Sequence, residues 1–161
     1  MLENLSNLIK EHAGEAIINN PDIPNERNDE AISYASSSIM DTLKGAVSNG
    51  NISDVVSMFT GGNAGASTLS QNIQGGFIQN LMDKFGLDSA KAGGIANNLL
   101  PNILNKFVNK TNDPNDNSFD LQDIIQNISG GAGGLDIQNI LSKFNNGNGG
   151  GLMDTVKGLF K

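Results

Sequence analysis

The chain has 161 residues, 37% apolar, 5% aromatic and 17% charged, with a formal net charge of −7 and no cysteine. An acidic chain whose only arginine is Arg27 lacks the cationic footprint that nucleic acids and anionic membranes attract, so neither is expected as a partner. The missing cysteines exclude disulfides, thiolate metal sites and thiol catalysis. With no Trp, a single Tyr34 and seven Phe, the core has to be built mainly from Leu, Ile, Val, Met and Phe.

Leu2, Leu5, Leu8, Ile9, Ala13, Ala16 and Ile17 recur at helical spacing and predict an amphipathic first helix ending near Asn19-Asn20. The start, Met1-Leu-Glu-Asn-Leu-Ser, has no basic residues before an apolar run, and nothing in the chain approaches a membrane span. A cytoplasmic location is the expectation. Pro21 and Pro24 predict an extended connector, because proline disfavours helix in itself and in the residue before it. A second helix is predicted from Asn28-Asp29-Glu30, with Ile32, Ala35, Ile39, Leu43 and Val47 on one face, stopping at Asn49-Gly50. A short helix over Ile52–Phe59 follows, with Asn51 or Ser53 as its cap.

Gly61-Gly-Asn-Ala-Gly65 reads as a turn or linker. Ser67 to Phe85 predicts a longer helix: Leu69, Ile73, Phe77, Leu81 and Phe85 fall four apart, and Ile78 and Met82 widen the face. Gly75-Gly76 weakens the middle of that helix, which reads as close packing against a neighbour. Gly86 ends it, and Asp88 opens the next as an N-cap. At Pro101 a kink or restart is expected before Ile103, Leu104, Phe107 and Val108. Thr111 to Ser118 reads as a solvated loop, and short helices on glycine-rich linkers complete the chain. No segment alternates with period two, so the fold class is all-α, a multi-helix bundle.

One pattern recurs four times, in Ile52–Phe59, Leu121–Ile128, Ile137–Phe144 and Leu152–Leu159: apolar, any, Asp or Asn, two mostly apolar, two mostly polar, apolar. Each copy is one helical stripe of two to three turns, too short to be stable alone in water, so each must dock on something. In the first turn the recurrent Asp54, Asp123, Asn139 and Asp154 suit the helix dipole and the free N–H groups.

Phe85-Gly-Leu-Asp-Ser, the small-residue run Ala92–Asn98, Leu99-Leu-Pro-Asn-Ile-Leu104 and the Asp113-Pro-Asn loop together resemble the YidB-like family of small uncharacterised bacterial proteins. The resemblance covers about Ile52 to Asp113. It implies an all-helical fold with a right-handed, homeodomain-like arrangement and brings no catalytic group. The homeodomain-like shape does not carry DNA binding with it, since the chain is acidic and has no basic recognition helix. The expected organisation is an N-terminal helical pair over 1–50, a YidB-like helical core over 51–115, and short amphipathic helices on glycine-rich linkers over 116–161.

No catalytic, metal-binding or cofactor-binding residues are assigned. His12 is the only histidine, so no histidine-based triad can form, and His12 with Glu15 is one pair where a di-metal bundle needs two such motifs. Asp113-x-Asn115-x-Asn117 resembles the opening of a calcium loop, yet Ser118 replaces the turn glycine and Ile124 stands where a bidentate Glu is required. The glycine clusters lack the lysine of a phosphate loop and the strand of a dinucleotide site. The leading expectation is a non-enzymatic helical interaction or self-assembly module, joining copies of itself or another protein. Leu121, Ile124, Ile125 and Ile128, with Ile137, Ile140, Leu141 and Phe144, would carry the contact. The alternative is a binding protein for a small apolar, lipid-like ligand held among Phe77, Met82, Phe85 and Phe107.

Overall fold

A computed structural model describes residues 1–129, which form one compact unit. The copies of the pattern at 137–144 and 152–159, with Ile137, Ile140, Leu141 and Phe144, lie outside the described residues. The described chain is all-α: α1 (Leu2–His12), α2 (Asn28–Ser48), α3 (Ile52–Thr60), α4 (Thr68–Phe85), α5 (Ser89–Asn112) and α6 (Leu121–Ile128), with no strand among the described residues.

α1 buries Leu5, Leu8 and Ile9, and sets Glu3 in its first turn and Lys10 and His12 in its last, as the helix dipole favours. It is shorter than its apolar spacing predicts. After His12 the chain widens into a π-helical turn over Gly14–Ile18, in which Ile18 N–H donates to the Ala13 carbonyl at 3.1 Å and Asn19 N–H to the Gly14 carbonyl at 2.7 Å. The wider turn keeps Ala13 and Ile17 buried and leaves Ile18 37% exposed. The connector is not wholly extended either: Pro24 is, but Asn25–Arg27 form a 3-10 turn, and Ile23 is buried beneath it.

α2 is the central helix, packed on α1, α3, α4 and α6. It buries residues around most of its circumference, including Ala31, Ala35, Ser36, Ser38, Ile39, Met40 and Leu43. Small side chains let neighbours close in, and the buried hydroxyls are satisfied: Ser36 Oγ lies 3.0 Å from the Ile32 carbonyl and 2.8 Å from Ser6 Oγ, and Ser38 Oγ donates to the Tyr34 carbonyl at 2.8 Å.

α4 and α5 form the other major pair, and both boundaries between them follow the local chemistry. Gly86 takes the left-handed conformation, φ +67°, that terminates α4 without a Cβ penalty. Asp88 accepts the Lys91 N–H at 2.8 Å and starts α5. α5 then runs unbroken through Pro101, so the expected restart does not occur. Proline removes the N–H that would reach the Asn97 carbonyl and crowds that carbonyl with its ring, and Asn97 is exposed, where water can take the lost bond's place. The turn at Ala64–Ala66 lies against this point. A Cβ on Gly65 would stand 3.3 Å from the Pro101 backbone, and the Gly65 N–H donates to Asn105 Oδ1 at 3.3 Å.

A single cluster of buried side chains draws on every helix, from Leu5 and Ile9 through Phe77 and Leu104 to Ile124 and Ile128. It therefore crosses the positions 50 and 115 at which the sequence was divided. Three aromatic rings form a chain within it, Phe59 to Phe107 at 5.4 Å and Phe107 to Phe119 at 5.0 Å, both edge-on. Phe119 thereby pins the segment leading into α6.

Candidate functional site

The two described copies of the recurrent pattern place their apolar residues alike. In α3, Ile52 is half-buried while Val55, Val56 and Phe59 are buried. In α6, Leu121 is half-buried while Ile124, Ile125 and Ile128 are buried. Asp54 and Asp123 stand exposed in the first turns. Asn51 is the N-cap residue of α3 as expected, and the two caps differ in strength. Asp120 accepts the N–H groups of Gln122 at 2.8 Å and Asp123 at 3.2 Å, whereas Asn51 holds the cap position of α3 without a side-chain hydrogen bond. In both copies part of the stripe joins the unit's own core, through Val55 and Phe59 in α3 and through Ile124 and Ile128 in α6. The surface sought at Leu121, Ile124, Ile125 and Ile128 is thus already covered from within the chain.

The four residues of the apolar-ligand alternative belong to the core cluster or pack against it. Phe77 and Phe107 are fully buried, and Phe107 is the middle ring of the aromatic chain. Phe85 sits at the edge, where the Arg27 guanidinium lies 4.1 Å from its ring centroid and Tyr34 meets it edge-on at 6.2 Å. Met82 is half-buried. Among the described residues, surface depressions include one of about 210 Å³ beside Ser57, Met58 and Leu69 and one of about 360 Å³ beside Ile18, Pro21 and Pro24. Neither is lined by Phe77, Met82, Phe85 or Phe107.

The charged groups tie elements together. Arg27 meets Glu30 through two bonds of 2.8 Å, which holds the Glu30 carboxyl below its ordinary range and raises the guanidinium. Lys91 reaches Asp22 in the connector at 2.6 Å, and that bond raises the Lys91 ammonium. In the loop after α5, Asp116 bonds Lys110 at 2.8 Å and accepts the Ser118 N–H at 2.9 Å. The Lys110 bond and then the Ser118 side chain and N–H hold its carboxyl far below the usual range. Asp113 accepts the Asn115 N–H at 2.9 Å. These carboxylates thus serve turns and an ion pair, as chemistry of loop closure rather than of ligation. His12 and Glu15 are both exposed, on either side of the change from α1 to the π-helical turn.

Among the described residues no group of three or more His, Asp or Glu side chains could hold a metal ion, and no helix is long and apolar enough to cross a membrane. The signal that sequence spacing missed is on the neutral side of α4, where Gly75 has open space around it: a Cβ there would meet nothing within 4 Å, and at Gly76 only Ser38 at 4.0 Å. Among the described residues the expected close packing at Gly75 is therefore absent. Comparison with known proteins finds no matching family model, no matching curated protein and no matching solved structure.

Proposed function

We propose that this chain is a non-enzymatic helical interaction module that works by self-association, and that it is a YidB-like bacterial protein with a homeodomain-like core. The observation that carries the reading is the parallel burial of α3 and α6. Two copies of one short pattern each dock three buried apolar residues on a helical core, and the same pattern recurs at 137–144 and 152–159. Since α3 and α6 are taken up by their own chain, the further copies of this docking pattern at 137–144 and 152–159 are the segments proposed to join chains. The polar groups support the same reading, since the ion pairs and capping carboxylates all serve the fold.

The test is absolute mass in solution by light scattering over a range of concentration. Self-association gives a mass above the 16.9 kDa of one chain that rises with concentration. A constant 16.9 kDa at every concentration refutes it.

A further inference from the structure

From Val55 to Met82 the chain carries no charged side chain, although the whole chain has a net charge of −7. Most of that run is α4. Its inner face buries Leu69, Ile73, Phe77 and Leu81. Its outer face exposes Thr68, Gln71, Asn72, Gly75, Gly76 and Gln79. A helix facing only water ordinarily carries charged residues there. This one presents amides, a hydroxyl and bare backbone, and its first charge, Asp83, comes where Gln79 Nε2 donates to it at 2.9 Å.

We propose that the outer face of α4 is a homotypic interface, on which a second copy of the chain seats its own α4. The inference rests on the self-association reading and adds a contact surface to that of the recurrent short helices. Charge is the first argument for an identical partner. Two copies of a chain at −7 repel wherever their carboxylates meet, and the outer face of α4 from Thr68 to Gln79 is free of them, in keeping with the depletion of charge at interface centres. Self-complementarity is the second. In a twofold contact each side chain near the axis meets its own counterpart. A carboxylate or an ammonium cannot pair with its like, whereas an amide holds both donor and acceptor, so about an axis at Gly75 the Gln71 of one copy can bond the Gln79 of the other, whose own Nε2 is held by Asp83. Gly75 agrees with both: nothing among the described residues needs the glycine, and a missing Cβ lets a facing helix approach closely.

The experiment uses the full chain and the exposed, nearly isosteric variant Gln71→Glu with Gln79→Glu. Light scattering across concentration is run at low and high salt, with circular dichroism and thermal unfolding to confirm that the variant folds as the parent does. The parent should associate. The variant should dissociate at least about tenfold more readily at low salt, and recover as salt screens the added carboxylates. Gly75→Ala supplies a second readout that a folding defect cannot imitate, since it should raise the melting temperature yet weaken association. If the parent associates and all variants associate equally, the α4 interface is overturned while self-association survives through another surface. A parent that stays monomeric overturns both, even if this face were to bind a different protein.

Discussion

Asp116 shows how a side chain's local bonds contribute to the acid response of the unit. Lys110 and Ser118 hold its carboxyl below the value it has in an unfolded chain, about 3.9. Such a group stabilises the fold above that unfolded value, and the contribution is lost as pH falls through the lower folded value. Asp116→Asn should therefore lower the melting temperature at neutral pH. The gap to the parent should narrow below about pH 4 and close in stronger acid, as thermal unfolding across pH would record. Two glycines give opposite expectations. Gly86→Ala forces a Cβ into φ +67° and should cost about 1 kcal/mol, while Gly75→Ala meets open space in mid-helix and should gain up to about 1 kcal/mol, both read from denaturant unfolding. Gly86 and Asp88 were legible from the sequence because caps are set by residues next to each other. The open space at Gly75 was not, since it depends on which helices come near.

Among the elements, the long helices were readable to within a residue or so, because four-residue spacing on α4 and the stops at Asn49-Gly50 and Gly86 are local signals. The end of α1 was not. A spacing rule built on one turn width cannot anticipate a π-helical turn, which at Gly14–Ile18 buries the same apolar residues by another route. At Pro101 the restart that the sequence allowed does not occur, and the helix continues through it to Asn112. The face of α6 was recognised as a docking surface, but which surface it docks on is a matter of tertiary contact. Ile124→Ala should open α6 without melting the rest, because an eight-residue helix released from its site loses its own support first. Amide exchange should show protection lost in α6 and kept in α2, α4 and α5. A uniform loss would instead make α6 part of the global unfolding unit.

At the scale of the molecule, residues 1–50 cannot be set apart. α1 and α2 share one cluster with α4 and α5, and Lys91–Asp22 and Arg27–Phe85 clasp the connector to the α4–α5 turn. A chain beginning at Asn28 should lose its cooperative unfolding transition, since Leu5, Leu8, Ile9, Ala13 and Ile17 would leave a vacancy against α2 and α5. The composition was a fair guide to this modest core, and the repeat was a fair guide to docking. The single cluster was hidden because glycine and proline mark where a chain turns and not where a body ends.

The Asn4 side chain donates to the Ser118 carbonyl at 3.0 Å, across a separation of 114 residues. Closing so wide a loop costs entropy that grows with its length, so in refolding this contact must wait until nearer neighbours have drawn the chain together. An interaction formed after the transition state governs the rate of leaving the native state and has little say in the rate of reaching it. In stopped-flow measurements Asn4→Ala should steepen nothing in the refolding arm while quickening the unfolding one. The seam between α1 and the approach to α6 would then be the last part of the unit to close and the first to open.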